Sequence, residues 1–377
     1  MHIAIIAPNL RGDHSGWSRY ARDIAQWVAA HGHTVSAVVN ETTDTIETPQ
    51  YPILRDPMSY LHVPMTRWSG RYRLRRVLKK IQPDIVHCIA EPYGLLIASM
   101  NEQSWKSCLT IHGTYAIVPL TLPQSKTLAM TLYQKIDGIV SVSQFTKNSI
   151  KNFDPALYDS AGLEKRITVI PNGVDLSRFQ SLDTSRPFTV PSMIMSVGAV
   201  KERKGYGEAI AACREYRDRY KRPFCYDIYG DITQSPSYVS ALRQLIDTWD
   251  LHEYITLHGA VSDEVLSAAF KKADLFMLLS KKIGNHVEGF GLVLLEASAA
   301  GIPVIGPNNG GCPEAIDEGV SGYVCDPSMP SRVSDRMADV LIHQKITRSH
   351  CRLFAEKHSL THTCTDLLKY YTALLTS

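Results

Sequence analysis

The sequence predicts an α/β protein of two domains, each built on a doubly wound parallel β-sheet. Three observations favour this fold class. Short apolar runs alternate with helix-like segments along the whole chain, as in proteins that alternate strands and helices. The runs are continuously apolar, which is expected where helices cover both faces of a parallel sheet. The chain of 377 residues is also too long for one ordinary core.

The strand candidates form two series of six. The first series lies at residues 2–7, 33–39, 84–90, 107–113, 138–143 and 167–174. The second lies at residues 192–199, 225–230, 255–260, 273–280, 302–307 and 322–325. The polar stretch SLDTSRPFTVPS (181–192) separates them. We therefore predict Rossmann-like domains at residues 1–185 and 186–359, with a C-terminal helix at about 360–377 packing back on the first.

Composition and motifs exclude several classes of protein. A net charge of +3 gives no support to a nucleic-acid partner. No apolar run approaches the roughly 18 residues of a membrane span, and the start, MHIAIIAPNL, lacks the cationic lead of a signal peptide. The eight cysteines form no CxxC pair, which predicts reduced thiols in a cytoplasmic protein. Because HExxH and Asp-x-Asp are also absent, we predict no metal site.

Two candidate residues of the first half follow predicted strands, where ligands bind in open parallel sheets. Gly16 follows the first strand without a complete GxGxxG pattern. It fits either a close approach of the backbone to a ligand or an ordinary tight turn. His112, before Gly113, ends the fourth strand. A lone histidine is more often structural, but this position favours a site.

The loop GAVKERKG (198–205) follows the first strand of the second half and carries Arg203 and Lys204. Lys204 lies near the expected start of a helix, where the helix dipole already favours anions. Two cations at this point suit a diphosphate. The alternative is a solvated basic turn.

The segment EGFGLVLLEASAAGIP (288–303) contains two glutamates that bracket the start of a helix. We predict that the helix begins near Phe290, with Glu288 just outside it and Glu296 well inside. Eight residues at ~1.5 Å of rise separate the two by roughly 12 Å, about the distance from the hexose to the ribose of a nucleotide sugar. The first backbone N–H groups of a helix are open to an anion. The residues that present them are Gly289, Phe290, Gly291 and Leu292.

The pattern Glu288-Gly-Phe-Gly-Leu-Val-Leu-Leu-Glu296, with Gly310-Gly311-x-Pro313-Glu314 downstream, resembles the retaining glycosyltransferases of the GT-B fold, family 4. Other motifs match that family in order and spacing over nearly the whole chain. They are HG (112–113), SVSQFTKNSI (141–150), VIPNGVD (169–175) and EGVSGYVCDP (318–327). The resemblance implies a GT-B fold, with two Rossmann-like, doubly wound parallel-sheet domains facing a central cleft.

The resemblance also implies roles for individual residues. Glu288 would bind hydroxyl groups of the donor hexose, and Glu296 those of the ribose. Lys204 and the amides of residues 290–292 would hold the diphosphate. His112 would lie by the reacting sugar, and Gly16 would border the phosphates or the acceptor. The catalytic candidates are therefore His112, Lys204 and Glu288.

The chain departs from the family pattern at two places. Many members have arginine where this chain has Ala199, so we expect Arg203 to supply the second cation for the diphosphate. Many members also have Gly-Gly where this chain has Ser15-Gly16.

The activity implied by the family is retaining, metal-independent transfer of a hexose from GDP-mannose or a UDP-hexose. The donor is a substrate, and no cofactor is expected. The acceptor would be a hydroxyl of a glycan or a lipid-linked saccharide, in synthesis of cell-envelope polysaccharide or glycolipid. Two alternatives stay open, a non-hydrolysing nucleotide-sugar epimerase and a non-catalytic nucleotide-binding module.

The segment RWSGRYRLRRVLKK (67–80) carries seven basic residues and no acidic one. Apolar residues such as Trp68 and Tyr72 lie between the charges, as in helices that bind an anionic membrane face. The alternative is a solvated helix packed on the sheet. The residues predicted for an acceptor or peripheral membrane surface are Arg67, Arg71, Arg73, Arg75, Arg76, Lys79 and Lys80.

Overall fold

The chain folds into two compact units in a computed structural model that describes residues 1–11, 16–98, 100, 104–180 and 183–376. One unit comprises Met1–Gly173 and Leu360–Ser377, and the other comprises Val174–Ser359. The sequence placed the boundary after residue 185, whereas the structure places it at Gly173. The chain returns to the first unit at Leu360.

The first unit contains one parallel sheet in the order β3-β2-β1-β4-β5-β6-β7. Its strands are β1 (His2–Ile6), β2 (Thr34–Val39), β3 (Gln50–Pro52), β4 (Ile85–Cys88), β5 (Lys106–Ile111), β6 (Gly138–Ser141) and β7 (Ile167–Val169). Six of them were predicted. Strand β3 was not predicted, because its three residues, Gln-Tyr-Pro, form no apolar run.

The second unit contains a parallel sheet in the order β10-β9-β8-β11-β12-β13. Its strands are β8 (Ser192–Val197), β9 (Phe224–Tyr229), β10 (Ile255–Gly259), β11 (Leu275–Met277), β12 (Val304–Pro307) and β13 (Gly322–Cys325). All six coincide with predicted runs. The predicted architecture of two doubly wound parallel sheets is therefore confirmed.

Helices connect the strands in both units. In chain order they are α1 (Gly16–Ala30), α2 (Pro57–His62), α3 (Pro64–Ile81), α4 (Glu91–Ile97), α5 (Thr114–Thr121), α6 (Pro123–Lys135), α7 (Gln144–Phe153), α8 (Pro155–Ser160), α9 (Leu163–Arg166), α10 (Tyr206–Tyr220), α11 (Pro236–Thr248), α12 (Asp263–Lys272), α13 (Leu292–Ala299), α14 (Pro330–Leu341), α15 (Arg348–Lys357) and α16 (Leu360–Thr376). The first unit holds α1–α9 and α16. No helix in the described ranges combines the length and the apolar character needed to cross a membrane.

The sheet of the first unit is covered on both faces, which explains its continuously apolar strands. Ile3 and Ile5 of β1 pack into a cluster that includes residues of α1 and α16. The alternate residue Ile6 faces a second cluster, with residues of α2–α6. Tyr371 of α16 is fully buried, and its hydroxyl lies 2.5 Å from His87 Nδ1. The C-terminal helix thus belongs to the core of the first unit.

In each sheet the strand order reverses beside the first strand of the unit. In the first unit β1 lies between β2 and β4, and in the second β8 lies between β9 and β11. Ligands of open parallel sheets bind beyond the carboxyl ends of the strands at such a reversal. The loops after β1 and β4, and those after β8 and β11, are therefore the places to look for a site.

Candidate functional site

The loop after β8 carries Arg203 and Lys204 in a short 3₁₀ turn, Glu202–Lys204, which leads into α10. Gly205 ends this turn in the left-handed region, with φ of 73°. A Cβ atom at this position would lie 1.8 Å from the carbonyl oxygen of Leu279. Only glycine therefore allows the loop to pass this close to the end of β11.

The buried Tyr206 also holds the loop. Its hydroxyl donates a hydrogen bond of 2.6 Å to the carbonyl oxygen of Gly198. The main chain of Arg203 accepts a second hydrogen bond, of 2.7 Å, from the N–H of Lys281. These contacts join the loops on the two sides of the strand reversal, and the sequence alone did not indicate them.

Glu288 lies in the loop after β11 and contacts both cations. Its Oε2 accepts hydrogen bonds from Lys204 Nζ at 2.7 Å and from Arg203 Nη1 at 2.9 Å. Burial would raise the pKa of this carboxyl group, but Lys204 and Arg203 outweigh burial and lower the pKa to about 2. The three side chains together carry one excess positive charge at neutral pH. The second cation that we expected from Arg203 is thus present beside Lys204.

Two glycines fix the backbone of Glu288. The N–H of Gly311 donates a hydrogen bond of 2.9 Å to the carbonyl oxygen of Glu288. A Cβ atom at Gly310, which has φ of 65°, would lie 2.3 Å from that same oxygen. The downstream Gly-Gly pair therefore lets a second loop support the Glu288 main chain.

Helix α13 begins at Leu292, two residues later than predicted, because Gly291 adopts a left-handed conformation with φ of 82°. Gly291 has no side chain and makes no capping hydrogen bond to the first N–H groups of the helix. These N–H groups also have no acceptor within the helix. Phe290 is 2% exposed and packs in the interior. The positive end of the helix dipole thus lies three residues after Glu288 and adds to the attraction for an anion.

Glu296 lies within α13 and is 8% exposed. Its Oε1 accepts a hydrogen bond of 2.8 Å from Arg178 Nη1. Arg178 follows the VIPNGVD motif in a 3₁₀ turn, Leu176–Phe179, and the sequence did not predict this pair. The contact explains how a carboxylate is accommodated in an otherwise apolar helix.

The neighbouring Lys281 is paired with acidic side chains. Its Nζ lies 2.6 Å from Glu208 and 3.9 Å from Glu202. The excess positive charge beside Glu288 therefore comes from Lys204 and Arg203. In the part of the chain that the structure describes, no group of three or more His, Cys, Asp and Glu residues is placed to hold a metal ion.

The first unit holds the other two candidates. Gly16 is the first residue of α1, and a Cβ atom there would meet none of the described residues within 4 Å. The neighbouring Ser15 lies outside the described residues. His112 follows β5, and its N–H donates a hydrogen bond of 2.7 Å to Glu91 Oε1. Burial lowers the pKa of His112 to about 3, so its imidazole is neutral. Glu91 was not predicted from the sequence as a site residue.

The predicted basic segment forms most of α3, and one of its faces is exposed. That face, which we call the α3 surface, consists of Met65, Trp68, Tyr72, Arg75, Arg76, Lys79 and Lys80. The opposite stripe, Thr66, Gly70, Leu74 and Leu78, is buried. The α3 surface is thus apolar and aromatic in its first half and cationic in its second.

Two predicted members of this surface, Arg67 and Arg73, do not belong to it. They flank the buried stripe because of the helical period. Arg67 donates hydrogen bonds to the carbonyl oxygens of Tyr60, at 2.8 Å, and Gln124, at 2.6 Å. The Nε and Nη2 atoms of Arg73 are buried. Arg67, Arg71 and Arg73 are only half-exposed, so they do not lie on the exposed face of α3, and their role at a membrane or acceptor surface stays a prediction.

The structure thus gathers Arg203, Lys204, Glu288 and the start of α13 into one site on the second unit. Glu296 lies on the same helix but is held by a separate partner. His112 and Gly16 lie at the carboxyl edge of the sheet of the first unit.

Comparison with known proteins identifies two families. The model of the Glycosyltransferase Family 4 matches residues 14–178, and that of the Glycosyl transferases group 1 matches residues 181–358. A GDP-mannose-dependent alpha-(1-6)-phosphatidylinositol monomannoside mannosyltransferase of Mycobacterium tuberculosis is 29% identical over 230 residues. These residues are 59% of this chain and 57% of that protein. The chain thus spans just over half the length of this relative.

Solved structures resemble the whole chain. A glycosyltransferase from Rickettsia africae matches with a TM-score of 0.78 at 20% identity, over 99% of this chain and 98% of that one. An Anabaena protein in complex with UDP-glucose matches with a TM-score of 0.75 at 16% identity, over 99% of this chain and 100% of that one. At these identities the likeness concerns the fold, and it confirms the predicted fold class.

Proposed function

The chain belongs to family 4 of the GT-B glycosyltransferases, and we propose that it transfers a hexose from a nucleoside-diphosphate sugar to a hydroxyl acceptor. The observation that carries this proposal is the site on the second unit. Lys204, Arg203 and the uncapped start of α13 form a place for a diphosphate, and Glu288 beside them can accept hydrogen bonds from sugar hydroxyls. Glu296, eight residues further along the chain, would bind the ribose.

The proposed reaction is retaining and independent of metal. The bond between the anomeric carbon and the phosphate oxygen breaks, and a bond to the acceptor oxygen forms on the same face. Lys204, Arg203 and the helix dipole stabilise the negative charge on the departing diphosphate, which then takes the proton of the acceptor hydroxyl. A scheme with two carboxyl groups, as in glycosidases, does not suit Glu288 and Glu296. Each is paired with different cations, Glu288 with Lys204 and Arg203 and Glu296 with Arg178, whereas that scheme needs both carboxyl groups at the bond that breaks.

The identity of the donor is the first question for experiment. The name of the mycobacterial relative specifies GDP-mannose, whereas the Anabaena neighbour was solved with UDP-glucose. A thermal-shift panel of UDP, GDP, ADP and their sugars should raise the melting temperature with one base, because a ligand that binds the folded state stabilises it. Failure of every nucleotide sugar to shift the melting temperature would contradict the proposed site.

A transfer assay with that donor tests the reaction itself. We expect acceptor-stimulated release of the nucleotide, retention of the anomeric configuration by NMR, and little effect of EDTA. A strict requirement for metal would refute the mechanism. Conversion of the donor sugar to its epimer would support a nucleotide-sugar epimerase, and binding without release would support a nucleotide-binding module.

The α3 surface supports an acceptor at an anionic membrane, such as a lipid-linked saccharide in cell-envelope polysaccharide or glycolipid synthesis. Met65, Trp68 and Tyr72 are 79%, 67% and 58% exposed, which is unusual for large apolar side chains. Four cations follow them on the same face. Such a helix can insert its apolar part at the lipid boundary while its basic part meets anionic headgroups. We propose that the protein is cytoplasmic and binds the membrane peripherally through this surface.

A further inference from the structure

Glu91 is a buried carboxyl group that the donor site on the second unit does not use. It is the first residue of α4, just after β4, and it is 2% exposed. Strand β4 flanks the strand reversal of the first unit, where ligands of such sheets bind. One oxygen, Oε1, accepts the hydrogen bond from the His112 N–H. The other, Oε2, is buried and has no hydrogen-bond partner among the described residues.

His112 presents a second unused polar atom at the same edge. Strands β4 and β5 are neighbours, so the residues that follow them lie at one end of the sheet. The imidazole Nε2 of His112 is buried without a hydrogen-bond partner in the described ranges, and the ring bonds the main chain of Ile89. Because the imidazole is neutral and its other nitrogen is the donor, Nε2 is an acceptor.

A purely structural role does not account for these two atoms. The great majority of buried polar atoms in native proteins have hydrogen-bond partners, and a carboxyl group that only capped the His112 main chain would need one oxygen. Two atoms at the ligand edge of the sheet that find no partner among the described residues instead indicate a further polar group. A hydroxyl suits them, because it can donate one hydrogen bond and accept another.

The surroundings of Glu91 favour its uncharged form. Burial raises the pKa of Glu91 to about 7, although the His112 N–H and the Trp17 indole act in the opposite direction. In the described part of the chain no cation forms an ion pair with it. Among the titratable groups on the elements packed around α4, the His112 that follows β5 contacts Glu91 directly, and Tyr133 of α6 lies close enough for Glu91 to raise the pKa of its hydroxyl. Arg73 acts on the Tyr60 hydroxyl, and Tyr133 donates to the carbonyl oxygen of Ala116.

We propose that Glu91 is a sugar-binding residue that works as an uncharged acid beside His112. Its protonated oxygen donates a hydrogen bond to a sugar hydroxyl, and that hydroxyl donates its own proton to His112 Nε2. The arrangement needs the proton on Glu91, because an ionised carboxylate and the imidazole would compete as acceptors for a single hydroxyl hydrogen. This inference rests on the proposed function, since it takes the ligand of the first unit to be a sugar.

Glu91→Gln tests the protonation state of Glu91. Like a protonated carboxyl group, the glutamine amide has one acceptor oxygen and one donor group. We expect kcat/KM of the wild type to fall about tenfold per pH unit above pH ~7. Glu91→Gln should lack this fall and lie within about threefold of the wild type at pH ~6. Glu164→Gln is the matched control. It removes an exposed carboxylate of the same unit that pairs with Lys147, and it should keep the profile of the wild type.

A folded Glu91→Gln variant that is inactive at every pH would overturn the proposal, because an ionised carboxylate would then be required. The same alkaline fall in Glu91→Gln and the wild type would also overturn it, while leaving the proposed function intact. If the wild type transferred no sugar from any donor, the proposed function itself would fail, and the sugar contact with it.

The proton on Glu91 can also be detected without catalysis. A carboxyl group whose pKa is raised in the folded state stabilises the fold below its ordinary pKa of 4.5, and this stability is lost as the pH rises to about 7. The melting temperature of Glu91→Gln should therefore rise relative to the wild type between these two pH values. A constant difference would contradict the uncharged state, whatever the activity assays show.

Discussion

Replacement of Glu288 by glutamine should tighten the binding of a nucleoside diphosphate while it slows sugar transfer. In the structure Lys204 and Arg203 are both paired with the Glu288 carboxylate. A diphosphate must compete with that carboxylate for the same two cations. Glutamine keeps the size and shape of the side chain but removes its charge, so both cations become available to the ligand.

The size of the effect follows from the ion pairs. The pKa of Glu288 falls from its ordinary value of 4.5 to about 2. At about 1.4 kcal/mol per pH unit, this difference corresponds to about 3 kcal/mol of net interaction with the site. The Glu288 side chain is 20% exposed, and solvent screening reduces the part that a ligand recovers. We therefore expect the nucleoside diphosphate to bind Glu288→Gln more tightly by about 1.4 kcal/mol, which is about a tenfold lower Kd.

Isothermal titration calorimetry with UDP and GDP measures this Kd directly, and inorganic diphosphate tests the phosphate contribution alone. Glu356→Gln is the control, because it makes the same change of charge in the same unit. Glu356 is exposed and pairs with Arg352 at 3.7 Å. Equal or weaker binding of the nucleotide to Glu288→Gln, with the control unchanged, would refute the competition between carboxylate and diphosphate.

Four further variants test the candidate site, the α3 surface and a buried ion cluster. Glu288→Ala and Lys204→Ala should each lower the rate of transfer by at least about tenfold, or ~1.4 kcal/mol of transition-state stabilisation, with unchanged circular dichroism. Full activity in either variant would exclude the assigned site. Joint replacement of Trp68 and Tyr72 by alanine should reduce co-sedimentation with phosphatidylglycerol vesicles, and high salt should weaken the binding of the wild type. Vesicle binding that neither the double replacement nor high salt weakens would exclude the α3 surface as the membrane-binding surface. Asp274→Asn should lower the free energy of unfolding by about 3 kcal/mol or more, because this fully buried carboxylate forms ion pairs with two arginines, Arg186 and Arg348. Denaturant titration measures the loss, and a loss below about 1 kcal/mol would show that the cluster is not a stabilising one.

The fold could be predicted largely from local patterns, with β3 as the exception. Strands such as β1 and β12 are continuously apolar because helices cover both sides of the sheet, and that burial leaves a signal in the sequence itself. The edge strand β3 contains only Gln50, Tyr51 and Pro52 and pairs only with β2. Its position depends on that single neighbour, and no local pattern indicates it.

The candidate site was predictable in its composition but not in its contacts. The spacing of Glu288 and Glu296 around a helix start, and two cations before Gly205, could be read from neighbouring residues. The pairing of Glu288 with Lys204 joins residues 84 positions apart, and that of Glu296 with Arg178 joins residues 118 positions apart. Charge alone also did not show which side of α3 is buried, or that Arg67 and Arg73 flank that side.

The sequence by itself determined the two doubly wound sheets, the loops that carry the candidate site and the family to which the chain belongs. These properties depend on local periodicity and on short motifs, which are visible without knowledge of the fold. Only the tertiary structure decided that the cations of one loop pair with Glu288 and that Arg178 holds Glu296. It also decided that one oxygen of Glu91 supports His112 while the other finds no partner among the described residues. The physical reason is that the charge state and hydrogen bonding of a buried group depend on neighbours from distant parts of the chain.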